Sequence, residues 1–166
     1  TFEERFENQL VEASRSASDA LVRYEQRNLE TARSILYTDG FAEAVDSRHA
    51  GTLLSIVLPI AANTATDVVE VVDADGEVLL SLQTDDDGRI LLVPQEARGS
   101  RQDWESVQRT LAGVSDRWGD RHAQLAVGPG GLSMYTVAPV VTARGVSGAV
   151  LIGSPLAAML PDLKGA

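Results

Sequence analysis

The sequence contains no cysteine, two histidines, eight aromatic side chains and one lysine, Lys164, among 166 residues. Without cysteine there is no thiol nucleophile, no thiolate-held zinc and no disulfide framework. His49 and His122 are the only imidazoles available as a general base. No Gly-x-Ser-x-Gly elbow occurs, and the Gly-rich stretch at 128–131 lacks the Lys-Ser/Thr end of a phosphate loop. These absences argue against an enzyme. Long apolar runs are missing too. The longest, Leu53 to Ala62, has about 10 residues and is interrupted by Ser55 and Pro59, where a spanning helix needs about 20. Positive charge is scarce: 14 basic against 24 acidic residues leave −10 at neutral pH. That balance provides no basic stripe for nucleic acid and disfavours docking on an anionic membrane face.

What is present suits one soluble domain. About 100–200 residues make a single core, and a chain of this size needs no metal or disulfide staples; nothing in the sequence calls for a cofactor. The start at Thr1, without an initiator Met or a signal-like segment, leads us to expect a module excised from a longer protein.

Residues 3 to 38 hold no Gly or Pro. Phe6, Leu10, Ala13, Ala17, Ala20, Tyr24, Thr31 and Ile35, with Asn28 between, recur in steps of three and four, which predicts one helix ended by Asp39-Gly40. A second helix is expected from Ser47, as N-cap, to Leu58 before Pro59. Val68 to Val72 and Val78 to Leu82 read as two strands around an Asp75-Gly76 turn. Ser100-Arg101-Gln102-Asp103 has capping-box form ahead of Trp104, Val107, Leu111, Val114 and Trp118, which predicts a crossover helix. Three strands close the chain: His122 to Val127, Leu132 to Val141 and Val146 to Gly153. Tight turns make this a five-stranded antiparallel sheet, so the fold class is α+β. Asp73-Ala74-Asp75-Gly76 and Asp85-Asp86-Asp87-Gly88 each match only the start of a calcium loop. Thr84 and Glu96 stand at their twelfth positions, the latter beside Pro94 and Ala97, so we read a turn and a solvated acidic loop.

The run Val71-Val72-Asp73-Ala74-Asp75-Gly76-Glu77-Val78-Leu79, the strand Tyr135-Thr136-Val137-Ala138-Pro139-Val140-Val141 and the closing Gly145 to Gly153 segment resemble the Cache family of extracytoplasmic sensor domains, which have a PAS-like core. The likeness implies a single Cache-like module. Residues 1–40 would form the long N-terminal helix, 41–160 the PAS-like core, and 161–166 a tail leading through a short helix, Leu156 to Leu160, toward a membrane helix. It implies the extracytoplasmic part of a bacterial inner-membrane receptor: a sensor kinase, chemoreceptor or cyclic-nucleotide enzyme whose output domain carries any catalysis. Such a module binds a small molecule and shifts its flanking helices, with a homodimer formed through the first helix and membrane contact only through flanking segments. The alternatives are a ligand-free structural module of the same receptor and a cytoplasmic PAS-like module.

Strand alternation sets Ser133, Tyr135 and Val137 on one face, and Tyr135 can both pack and hydrogen-bond. Arg117, Trp118, Arg121 and His122 cluster just before the strand at 122. Arg pairs bidentately with a carboxylate, and Trp covers an apolar group or a cation, so a carboxylate is a natural ligand. The family's Tyr/Arg/Trp/Tyr amino-acid motif is not reproduced, because Gly119 stands where a second aromatic would be expected. The same residues also fit a structural role, with Trp104 and Trp118 in the core and both Arg in surface ion pairs.

Overall fold

The computed structural model describes residues 1–115 and 122–159, apart from the Ala13 side chain. Helix α1 (Phe2–Leu36) has 35 residues and spans about 50 Å. Its start is a capping box: the Thr1 hydroxyl accepts from the Glu4 N–H, and the Glu4 carboxylate takes the Thr1 ammonium at 3.3 Å. Only its second half packs down. Ala20, Asn28, Leu29, Thr31, Ala32 and Ile35 are buried, whereas Phe2, Phe6 and Leu10 face solvent. The Asn28 amide donates to Ser154 Oγ at 3.0 Å, and the two side chains hold α1 in register on the sheet.

Gly40, at φ +87°, does not close α1 but serves as the N-cap of a further helix, α2 (Phe41–Asp46). The helix expected from Ser47 to Leu58 is α3 (Ala50–Thr64), with Ser47 ending α2 and His49 as the N-cap. Arg48, left-handed at φ +57°, makes the break, and the sequence carries no Gly there to announce it. Pro59 lies inside α3 on its exposed side, where water can satisfy the carbonyl its missing N–H leaves free. Leu53, Val57 and Ala61 form the buried stripe of α3, which is narrower than its composition suggested.

Among the described residues the sheet has six strands, not five, in the order β3-β2-β1-β6-β5-β4, with every neighbouring pair antiparallel. They are β1 (Val68–Asp73), β2 (Val78–Thr84), β3 (Ile90–Leu92), β4 (His122–Gly128), β5 (Gly131–Thr142) and β6 (Gly145–Pro155). The added strand, β3, is three residues long, too short to show a periodic pattern. β1 is central and buried throughout, which explains its four valines. Val69 and Val71 face a core shared with α1, α2 and α3. Val68 and Val72 face a second core with Tyr135, Val137, Leu151 and Val107. Two short helices, α4 (Gln95–Arg98) and α5 (Glu105–Leu111), follow β3, and α5 covers this second face. The crossover helix is shorter than expected and starts later. Ser100 bridges to Glu77 rather than capping it, and Gly113 at φ +72° follows its end. Residues 156–159 are helical, and no described helix is long and apolar enough to cross a membrane. The expected tail at 161–166 lies outside the described residues.

Candidate ligand-binding site

The sheet face opposite α1 holds the chain's most unusual buried chemistry. Glu70 interrupts the β1 valines and is fully buried. Its carboxylate accepts from Arg101 Nε at 2.8 Å, from Arg101 Nη2 at 3.0 Å and from Ser81 Oγ at 2.7 Å. A bidentate guanidinium plus a hydroxyl satisfies a charge that could not otherwise stand in an apolar strand. Arg101 in turn lies 5.0 Å from the centre of the Trp104 ring, and Trp104 meets Tyr135 edge-on at 4.8 Å and 63°. Glu70, Arg101, Trp104 and Tyr135 thus form a continuous line across β1 and β5, roofed by the segment that leads into α5.

Tyr135 is fully buried. Glycine makes room for it: a Cβ at Gly128 would overlap its hydroxyl, and one at Gly153 would press on its ring. Its hydroxyl has no hydrogen-bond partner among the described residues. Burial pushes the phenol above its ordinary range and the Glu70 charge adds to the rise, while Arg101 and the neighbouring Ser133 oppose it. At neutral pH it is therefore a neutral O–H inside an apolar wall. Ser106, at the start of α5, donates from its N–H to Gln124 Oε1 at 2.8 Å and ties the roof to β4.

Of the residues singled out by sequence, His122, Ser133 and Tyr135 are brought to this one face. His122 is half-buried and its Nε2 donates to the Val114 carbonyl at 2.8 Å. Ser133 is buried and donates to the Gly131 carbonyl at 3.2 Å. Arg117, Trp118 and Arg121 lie outside the described residues. Sequence reasoning passed over Glu70 and Arg101. The lone charge among the β1 valines was the available signal, because a carboxylate in a buried strand demands a partner.

The family model described as "Double sensory domain of two-component sensor kinase" matches residues 3–166. The chain belongs to that family of Cache-type sensor domains. Among curated proteins, none matches the sequence. Solved Cache-type domains share the fold at low identity. The sensor domain of the Vibrio cholerae histidine kinase DctB is 16% identical with a TM-score of 0.67, and the match covers 99% of this chain and 61% of that one. The Escherichia coli DcuS sensor domain is 11% identical with a TM-score of 0.64, covering 90% and 98%. The ligand-binding domain of the Campylobacter jejuni chemoreceptor Tlp3, in complex with L-valine, is 13% identical with a TM-score of 0.60, covering 98% and 64%. This Cache-type chain thus spans 61% of the length of the DctB sensor domain and of a further solved domain from Vibrio parahaemolyticus.

Proposed function

We propose that this chain is the extracytoplasmic small-molecule-sensing module of a bacterial inner-membrane receptor, and that its ligand binds on the sheet face carrying Tyr135. The unpartnered, fully buried Tyr135 hydroxyl beside Trp104 and the Glu70–Arg101 pair is the observation that carries this reading. A neutral donor with no partner among the described residues would bond a solute that opens this face, where Trp104 packs edge-on against the ring. Arg117, Trp118 and Arg121, with His122, Ser133 and Tyr135, are the proposed contacts, and the two Arg suit a carboxylate.

The chain itself binds rather than catalyses, and any enzyme activity belongs to an output domain elsewhere in the receptor. Residues 1–40 act as the transmitting helix, 41–160 as the sensing core and 161–166 as the lead toward a membrane segment. Occupancy moves the sheet against α1, a rigid helix able to bias a bistable partner. The exposed Phe2, Phe6 and Leu10 stripe supports a homodimer seam on α1 in the whole receptor.

A thermal-shift screen over amino acids, carboxylates and other metabolites tests the proposal. A pocket-binding solute at a hundred times its Kd should stabilise the chain by about 2.7 kcal/mol. Arg117→Gln or Tyr135→Phe should remove that gain. If no solute moves the midpoint, a ligand-free structural module is the better account.

A further inference from the structure

The two edges of the sheet are built differently. β3 is three residues long, preceded by Arg89 and followed closely by Pro94, which has no N–H to donate. Shortness, charge and proline are ordinary means of keeping an edge from pairing with another strand. β4 has none of them. It runs for 7 residues, pairs with β5 without a bulge, and contains no Asp, Glu, Lys, Arg or Pro. Among the described residues no strand adjoins its outer side. Alternate N–H and C=O groups are therefore left without a strand partner along about 23 Å of edge.

The side chains of this edge are apolar and open on the face opposite Tyr135. Gln124 pairs with Tyr135 and shares its side of the sheet, so Ala123, Leu125 and Val127 point the other way. All three are exposed, Leu125 at 57% and Val127 at 74%. Leu132, also exposed, lies across from Val127 on β5. Scattered exposed aliphatics are ordinary, but these stand together on a strand whose backbone is open as well.

Charge and symmetry decide the occupant. At −10, copies of this chain repel one another over most of their surface. Residues 122–142 hold no Asp, Glu, Lys or Arg, and all of β4 lies in that stretch. Here an acidic molecule meets its own copy without setting like charges on opposing strands. The strand is also self-complementary. A two-fold axis through its central residue, Leu125, sets Leu125 against Leu125 and Ala123 against Val127 in an antiparallel pair.

We propose that the β4 edge docks a second copy of this chain, joining the two sheets into one across that axis. The contact is separate from the α1 seam and from the Tyr135 face, and requires neither. It rests on one strand edge and a few aliphatic side chains per copy, so it forms a reversible monomer–dimer equilibrium.

Sedimentation equilibrium and amide hydrogen exchange on the intact chain test the proposal. The expected result is a mass that rises with concentration, with amide protection in β4 rising in step. Leu125→Lys sets two ammonium groups against each other at the axis and should weaken association at least tenfold. Leu125→Glu should do the same with two carboxylates. The side chain is exposed, so both variants should keep the parental melting curve. Mixing the two should restore association, because Lys then faces Glu. Phe6→Asp on α1 should leave the β4 protection unchanged, which separates this edge from the helix seam. The proposal is overturned by a chain that stays monomeric at every concentration or by association that Leu125→Lys leaves unchanged. It is equally overturned by a Lys and Glu mixture no tighter than either variant alone, or by β4 protection that does not depend on concentration.

Discussion

Glu70 carries a full charge in the middle of the sheet because Arg101 and Ser81 occupy its oxygens. The net worth of such a pair is small, since both ions were taken out of water, but losing one partner strands the other. Arg101→Met should therefore destabilise the chain by about 3–5 kcal/mol in urea unfolding. Adding Glu70→Leu should recover most of that loss, because the stranded carboxylate is gone. A double variant as unstable as Arg101→Met alone would contradict this account. The signal for half of the arrangement was present but went unused: Glu70 stands out among Val68, Val69, Val71 and Val72. Its partner, 31 residues onward, was read as part of a capping box, because spacing along the chain does not reveal a contact closed by the fold.

At the scale of elements, α1 was legible because a Gly- and Pro-free stretch with three-and-four spacing has few alternatives. The α2–α3 break was not, since Arg48 takes the left-handed conformation that Gly would ordinarily signal. α5 starts late because Arg101 and Ser100 tie the preceding segment to β1 and the β1–β2 turn. The seat of α1 on the sheet rests on a small polar contact inside an apolar interface. Asn28 and Ser154 bond each other, both nearly fully buried. Either Asn28→Ala or Ser154→Ala leaves a buried group unsatisfied and should cost about 1–3 kcal/mol. The double variant should lose less than the sum of the singles in a thermal-unfolding cycle. Strict additivity would mean that the pair does not hold the register of the helix.

At the scale of the molecule, the sheet separates two tasks. One face seats α1 and the helices beside it, and the other carries Tyr135, Trp104 and the buried ion pair. The element order and the antiparallel turns made the fold readable from sequence, and alternation along β5 correctly set Ser133 and Tyr135 on the same side. The site was only partly readable. Its identity depends on which distant side chains meet over β1 and β5, and Trp104, expected inside the crossover helix, is the N-cap of α5, packed on the second core against Tyr135. Because Trp104 touches both Arg101 and Tyr135, its emission reports on this face directly. With Trp118→Phe, Trp104 is the sole tryptophan. A solute that stabilises this variant should change Trp104 fluorescence along the same saturation curve. A solute that stabilises the chain while Trp104 emission stays constant would contradict binding on the Tyr135 face.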